Sequence, residues 1–481
     1  DGGLWASDDW RVNARLTISG GLRWEAQNHV ADHNDWAPRF SLAWALDGKN
    51  GKPSKTVLRA GYGIFYDRFT VGSLLRINRS LEEQRFNVLN TSATTQQALA
   101  NCFAQSQTSF NATACNIGQA TTRTIDQVVP NYRSPYAQQF AGSLERQLTK
   151  GMTGTLTYLH TQGDHQLVEI NANAPYFATY QPSLGNIYQY LSEGIFKEDQ
   201  FIFNTRAQIN PRLGFFGFYT LSFANTDGAS QNSITANAIS PVSNSLNIRQ
   251  DYGRAAFVSR NTVFVIGNYL APWGIRLNPF LLARSGHPFD ITLPTDPYGD
   301  TFLIHRPGVA QASDCTANST RYKQTTYGCL DTEPTLSPGE PLITNNLGNG
   351  PAAVAFNLRI SREFAVGPKQ KDQAHFGFHG GGGRPGGGVG GGFGGGGFAG
   401  PGGPGIFGGP GVPRKYHINF SIQALNLFNN HDYGTPNGTV IAPGNLGNQT
   451  DLFGQSQSLA SGLYSNGSAV RRIYAQAVFT F

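Results

Sequence analysis

Apolar and polar residues alternate with a period of two along many short segments of this chain. In 471–481 every second residue is apolar, and the residues between are mostly polar. The segments 415–427, 352–363 and 16–24 show the same alternation. Because successive side chains of a β-strand point to opposite faces, each segment predicts a strand with one face suited to lipid and the other to water.

Counting such segments back from the last residue predicts about thirteen strands. They are 4–10, 16–24, 38–46, 56–65, 136–146, 153–161, 197–208, 214–224, 260–270, 275–285, 352–363, 415–427 and 471–481. The predicted fold class is all-β, a transmembrane antiparallel β-barrel that occupies residues 1–481.

The predicted connections are alternately short and long. The short ones are 11–15, 47–55, 147–152, 209–213 and 271–274, and the long ones are 25–37, 66–135, 162–196, 225–259, 286–351 and 428–470. Outer-membrane barrels have short periplasmic turns and long outward loops, and bacterial single-chain barrels have an even number of strands. The odd count and the absence of an initial Met lead us to expect that the barrel is truncated at its N-terminus.

The composition of the chain argues against several classes of protein. Charged residues make up 14% of the chain, against roughly 25% in ordinary soluble domains. No apolar stretch approaches the ~18 to 20 residues of a membrane-spanning helix, whereas a barrel strand needs only ~9 to 11 alternating residues. The mean hydropathy of −0.31 fits such alternation. The net charge of +6 is dispersed along the chain, so no nucleic-acid partner is expected.

The four cysteines form two local pairs within polar, turn-rich segments that fall in predicted outward loops. The pairs are Cys102 with Cys115 and Cys315 with Cys329. Neither pair has the CxxC or nearby His spacing of a metal site, and paired cysteines suit an oxidising compartment. We expect two disulfides that stabilise loops, with no catalytic role.

A glycine-rich run at 377–411 falls on the side where the turns should be short. It has almost nothing to bury, and it lacks the Lys-Ser or Lys-Thr and the following helix of a phosphate-binding loop. A flexible turn is the expectation, rather than a nucleotide site.

Several stretches together resemble the barrel of Oar-like TonB-dependent receptors. They are DDWRVNARLTISGGLRWE (8–25), WAPRFSLAW (36–44), VLRAGYGIFYDRF (57–69), DYGRAAF (251–257), NPFLLARSGHPFDI (278–291), FNLRISREF (356–364) and NLFN (426–429). The resemblance extends over almost the whole chain through the order and spacing of these stretches.

The resemblance implies a longer receptor with an N-terminal carboxypeptidase-regulatory-like domain, a plug and a barrel of twenty-two strands. Compared with that pattern, we expect neither a plug nor a TonB box in this chain, and thirteen strands would correspond to a barrel without its first nine. The implied location is the outer membrane of a Gram-negative cell. The implied partners are membrane lipids, the barrel-assembly machinery, an unknown ligand, and the TonB complex through the missing N-terminal region.

Two sets of residues are candidates for function. Seven arginines lie on the polar faces of predicted strands, where they line the lumen to attract an anionic ligand or pack against a plug: Arg23, Arg39, Arg59, Arg276, Arg284, Arg359 and Arg472. At the C-terminal end Ala477, Phe479 and Phe481 resemble the signal by which barrels are recognised for insertion; the end of a soluble sandwich is the alternative.

Aromatic residues near strand ends suggest a membrane-interface girdle, with ordinary core aromatics as the alternative. They are Trp10, Trp24, Trp36, Trp44, Tyr62, Tyr66 and Trp273.

An acidic turn with Asp290, Asp296 and Asp300 is either a plain turn or a Ca²⁺ site; it lacks EF-hand spacing. The sequence shows no catalytic motif such as HExxH or GxSxG, and no Cys–His or carboxylate pair, in a context that would support catalysis. We therefore expect neither an enzyme nor a cofactor.

The leading prediction is therefore a receptor barrel that moves a ligand across the outer membrane. A barrel that acts as an adhesin or scaffold without transport fits the same strands and loops. A soluble carbohydrate-binding β-sandwich is the third hypothesis, and the apolar faces of 416–424 and 473–481 speak against it because soluble proteins rarely expose such a band.

Overall fold

The computed structural model describes residues 1–48, 54–82, 124–227, 239–335, 340–369, 414–460 and 470–480. One large sheet contains thirteen consecutive long strands. These strands are β1 (Gly2–Asn13), β2 (Leu16–Ala26), β3 (Asp35–Ala45), β4 (Thr56–Tyr66), β5 (Tyr136–Thr149), β6 (Met152–Asn171), β7 (Asn186–Asn210), β8 (Leu213–Thr226), β9 (Asn261–Leu270), β10 (Ile275–Arg284), β11 (Ala353–Lys369), β12 (Arg414–Leu425) and β13 (Arg472–Thr480).

Each long strand pairs antiparallel with the next one along the chain, so the sheet is a meander with β1 and β13 at its ends. The predicted fold class and the predicted thirteen strands are confirmed. Three short strands add to this sheet: Thr124–Val128 on β7, Ser240–Pro241 on β6 and Gly253–Arg254 on β8.

The largest errors of the sequence-based prediction concern β6 and β7, which were predicted to be 153–161 and 197–208. They run to Asn171 and from Asn186, so their connection is 172–185 rather than 162–196. The added residues include Gln162, Asp164 and Gln166, which pair across the ladder or lie beside it. In this part of the hairpin the backbone pairing continues although apolar and polar residues no longer alternate. The prediction relied on that alternation, so it ended both strands too early.

The connections keep the predicted asymmetry. The turns 14–15, 150–151, 211–212 and 271–274 join strands at one end of the sheet, together with the longer 46–55. The connections 27–34, 67–135, 172–185, 227–260, 285–352 and 426–471 lie at the opposite end. The second of these contains the helix α1 (Val71–Glu82). The glycine-rich run 377–411 lies outside the described residues.

The strand register divides the side chains into two faces, because directly paired residues of neighbouring strands point the same way. One face, the apolar face, carries large side chains that remain exposed, such as Phe420 (52%) and Ile422 (56%) on β12. Ile422 pairs with Ile360 of β11 and Ala475 of β13 on this face. The alternate residues form the polar face, on which Ser421 pairs with Ser361 and Gln476.

Tryptophans lie towards both ends of the apolar face. Trp24 pairs with Trp36 near the long connections, with their ring centroids 6.4 Å apart. Trp10 and Trp44 lie near the short turns at the opposite end of β1 and β3. This placement fits two interfacial belts with the middle of the apolar face between them.

The described residues contain no helix that is both long and apolar enough to cross a membrane.

Candidate functional site

The described parts of 172–185, 227–260, 285–352 and 426–471 form a folded unit, the outer cap, at the end of the sheet with the long connections. Its apolar core is a cluster of buried residues from two of these connections: Phe289, Ile291, Leu330, Ile343 and Val440. Two small sheets add to it, one pairing Pro288–Phe289 with Gly348–Asn349 and one of three short strands. The cap therefore has its own packing and is more than a set of separate loops.

A buried arginine joins two connections of the cap. Arg306 is 2% exposed and forms an ion pair with Asp251. Its Nε donates to the carbonyl of Ile343 at 3.0 Å, and its Nη2 donates to Ser243 Oγ at 2.8 Å. A buried charge is tolerated only when it is paired and hydrogen-bonded in this way.

Next to this pair lies a second ionic group, made of the buried Asp300 and His305 and the partly exposed Asp296. His305 Nδ1 is 3.0 Å from the carbonyl oxygen of Ser243, and its Nε2 is 2.9 Å from Asp300 Oδ1. Both acceptors require a protonated nitrogen, so His305 is an imidazolium with no lone pair for a metal. Burial lowers the pKa of His305, but the hydrogen bond and charge of Asp300 outweigh it, and the net pKa is raised.

The acidic turn considered as a Ca²⁺ site is thus organised differently from the sequence-based hypothesis. Asp296 Oδ1 accepts from the backbone N–H groups of Tyr298 and Gly299. His305, rather than Asp290, completes the group. Asp290 instead accepts from the backbone of Ile291 and Asn346. The group of Asp296, Asp300 and His305 is therefore an ion pair that stabilises the turn at 296–300.

Cys315 and Cys329 are joined by a disulfide in the cap, with their Cα atoms 5.9 Å apart. Cys315 lies in the short helix Ala312–Ala317, and Cys329 in the central strand of the three-stranded sheet. Cys102 and Cys115 lie outside the described residues.

Three connections of the cap line an open cavity of about 480 Å³, the mouth cavity. The connection 227–260 contributes 256–257, the connection 285–352 contributes residues of 287–292 and Asn346, and the connection 426–471 contributes residues of 435–438. The lining residues are Ala256, Phe257, His287, Pro288, Phe289, Asp290, Thr292, Asn346, Thr435, Pro436 and Gly438. The volume lies within the roughly 300–1,000 Å³ of small-molecule pockets.

The mouth cavity has two titratable side chains among its lining residues. Burial, together with the charge of Arg284, lowers the pKa of His287 to about 4, so its ring is neutral at pH 7. Burial raises the pKa of Asp290, against the opposing charge of Arg306. The cavity therefore carries one neutral imidazole and one carboxyl, and burial favours the uncharged form of both.

The register places all seven predicted arginines on the polar face. Arg276 pairs with Ser361, Arg359 with Gln423, and Arg39 with Gly63. The remaining four pairings are Arg23 with Ala37, Arg59 with Ser143, Arg284 with Ala353 and Arg472 with Leu425. That this face lines a lumen remains a prediction.

Several of these arginines already have partners on the same face. Arg59 forms an ion pair with Glu145 at 2.8 Å, and Arg23 forms one with Glu25. Arg276 lies 3.6 Å from Glu363. Arg39 lies over the ring of Phe65, 4.6 Å from its centroid. Three of the seven guanidinium groups are therefore paired with carboxylates on the polar face.

The sequence-based selection missed other arginines. Arg11 and Arg206 belong to the polar face as well, opposite Thr17 and Thr153. Arg362 lies on the apolar face, opposite Ile275 at the start of β10, and stacks over Phe364 at 4.6 Å. Because Ile275 directly follows the short turn 271–274, Arg362 lies near the edge of the sheet, where a guanidinium group can contact lipid head groups. Arg206 and Arg362 lie within the predicted strands 197–208 and 352–363, so the alternation alone assigns each of them a face; Arg11 requires the first strand to be extended from 4–10 to Asn13.

At the C-terminal end, Ala477 and Phe479 lie on the apolar face, opposite Phe420 and Ile418. Phe481 lies outside the described residues. Their role as an insertion signal remains a prediction.

A family model described as "Outer membrane beta barrel domain" matches residues 26–376, which is more than half of the chain. The chain belongs to the outer membrane β-barrel domain family. This family assignment and the thirteen-strand meander place the barrel domain in the outer membrane of a Gram-negative cell. Its apolar face is then the lipid-facing side, because that face alone is suited to hydrocarbon. No curated protein matches the sequence.

Solved structures similar to this barrel domain include the outer membrane transporter YddB from Escherichia coli, at 11% identity and a TM-score of 0.50. That alignment covers 99% of this chain and 44% of YddB. A mutant of the ferric enterobactin receptor PfeA from Pseudomonas aeruginosa is 10% identical, with a TM-score of 0.49 and coverage of 99% and 44%. The likeness to YddB concerns the fold, and the chain spans less than half the length of these proteins.

Proposed function

We propose that this barrel domain is the membrane part of a receptor that moves a ligand across the outer membrane, with TonB-type energy coupling in the full-length protein. The proposal rests above all on the outer cap, whose packed core borders an open cavity at one end of a membrane-spanning sheet. A receptor needs such a preformed site outside the membrane and a passage behind it. The similar structures are described as transporters and receptors.

The finer assignment follows the resemblance to Oar-like TonB-dependent receptors. In this proposal the full-length protein contributes a plug that contacts the polar face and a TonB box that reaches the TonB complex. The barrel-assembly machinery inserts the barrel, and Ala477, Phe479 and Phe481 form the signal it recognises. The activity is transport rather than an enzymatic reaction.

Two neighbouring residues of β3 allow a direct test in cells. Ser41 lies on the polar face between Ser19 and Gly61, and Leu42 lies on the apolar face between Ile18 and Ala60. The full-length protein is made with Ser41→Cys or with Leu42→Cys and exposed to a membrane-impermeant maleimide. The unsubstituted protein gives the background from its own cysteines.

We expect Ser41→Cys to be labelled several-fold faster in cells with a working TonB system than in cells without one, because coupling moves the plug. Leu42→Cys should stay unlabelled in both, since lipid covers it. Equal rates for Ser41→Cys in the two cell types would contradict TonB coupling and favour a non-transporting adhesin or scaffold. Labelling of Leu42→Cys would show that the faces are assigned wrongly.

A further inference from the structure

We propose that the mouth cavity binds a neutral saccharide, which makes this the class of ligand that the receptor captures. The inference rests on the proposed function for its biological meaning, but the binding itself can be measured separately. Three features of the cavity carry it: rigid apolar surfaces, free hydrogen-bonding groups and the lack of basic side chains among the described lining residues.

The apolar surfaces are the partly exposed Phe257, Pro288 and Pro436; Phe289 also borders the cavity, but it is only 5% exposed. Phe257 stacks on Phe196 with ring centroids 5.8 Å apart, and Phe289 belongs to the buried core of the cap. These side chains are therefore held in place before a ligand arrives, which lowers the entropic cost of binding. Flat aromatic and proline rings suit the C–H faces of sugar rings.

The polar groups around these surfaces match hydroxyl groups. Asp290 uses Oδ1 for the backbone of Ile291 and Asn346, so Oδ2 remains to accept from a ligand. Asn346 donates its Nδ2 to the carbonyl of Arg254, and its Oδ1 remains as an acceptor. The exposed hydroxyl of Thr435 can donate or accept. A carboxyl, an amide and a hydroxyl around aromatic rings recognise a polyhydroxylated molecule.

An anionic ligand would lack a partner in this cavity. The lining residues in the described part of the chain include neither Lys nor Arg, and His287 is neutral at pH 7. The nearby Arg254 donates to the carbonyls of Asn346, Leu347 and Gly348. A cationic ligand would find a single carboxyl, Asp290, whose Oδ1 already accepts from two backbone N–H groups. A neutral ligand needs no charge partner and avoids the desolvation cost of an ion.

The test uses the purified full-length protein in detergent on an array of neutral, sialylated and sulfated oligosaccharides. Thr435→Trp fills the mouth cavity from its exposed edge. Thr326→Trp is the matched control, because Thr326 is also an exposed threonine of the cap but does not line the cavity. Both variants are first checked for the heat-dependent gel mobility of a folded barrel.

We expect binding to neutral oligosaccharides that weakens at least about tenfold in Thr435→Trp and is unchanged in Thr326→Trp. This affinity should be nearly the same at about 0.05 M and about 0.5 M NaCl, because an uncharged ligand is not screened by salt. Binding to sialylated or sulfated glycans alone, binding to no glycan, or equal binding by both variants would overturn the proposal.

The TonB-dependent labelling of Ser41→Cys does not depend on the ligand. A receptor that passes the labelling test and fails on the array retains its proposed function and loses this ligand class. A protein that binds neutral glycans without TonB-dependent labelling is a glycan-binding barrel that does not transport.

Discussion

His305 shows how single residues organise the outer cap. Its side chain is fully buried, yet both ring nitrogens donate, to the carbonyl of Ser243 and to the carboxylate of Asp300. Asp300 in turn accepts from Tyr176 Oη through Oδ2 at 3.2 Å, which adds a third connection of the chain. One protonated ring therefore connects segments that lie far apart in the sequence.

The protonation of His305 predicts a pH dependence of cap stability. Its folded-state pKa is raised above 6.5. The stabilisation is therefore complete below about pH 6.5 and is lost as the pH rises through the raised value. We expect limited proteolysis to cut the cap faster at about pH 9 than at about pH 6. His305→Gln, which cannot be protonated, should show one rate at both values.

The activity of the protease also depends on pH, so each cleavage rate is divided by the rate at which the same protease cuts an unfolded substrate at that pH. A wild-type cap that is cut at the same relative rate across this range would contradict the imidazolium assignment.

The strand β12 illustrates how an element divides its residues between two surroundings. Ile422 and Gln423 are neighbours, but the register sends Ile422 to the apolar face and Gln423 to the polar face beside Arg359. The same register continues through the other long strands, although the polar face of β8–β10 also carries a cluster of rings: Phe216, Phe218, Phe264 and Phe280. The stability of each strand then depends on the face a substitution touches.

We predict that Ile422→Lys destabilises the folded barrel by about 1–4 kcal/mol, because a lysine on the lipid-facing side must leave water and the cost depends on its depth in the membrane. Gln423→Lys adds the same charge to the polar face and should have a much smaller effect. Urea unfolding of the complete protein in lipid vesicles measures both. Equal losses in the two variants would contradict the assignment of the faces.

The whole molecule combines a sheet and an outer cap that are stabilised in different ways. The sheet depends on the continuous ladder of thirteen paired strands. The cap depends on its apolar core, the Arg306–Asp251 pair and the Cys315–Cys329 disulfide. The disulfide closes a short segment, with a sequence separation of 14, and closing a loop of this length contributes about 3 kcal/mol in the chain-entropy model.

Reduction of the disulfide should therefore loosen the cap and leave the sheet intact. We expect unboiled full-length protein to run differently from boiled protein on SDS gels, both oxidised and reduced, because the barrel stays folded in each. Only the reduced sample should show faster proteolysis within 312–335. Loss of the unboiled form on reduction would show that the cap and the barrel fold as one unit.

The sequence by itself determined the class of the fold. Alternation over short segments gave the thirteen strands, both faces and the side on which the long connections lie, because a strand in a membrane must show this period locally. Only the tertiary structure decided the extent of β6 and β7, the group around His305, the Arg306–Asp251 pair and the mouth cavity. Arg306 and Asp251 are 55 residues apart, and His305 and Ser243 are 62 apart. Such contacts depend on how whole connections pack, and a period of two residues carries no information about them.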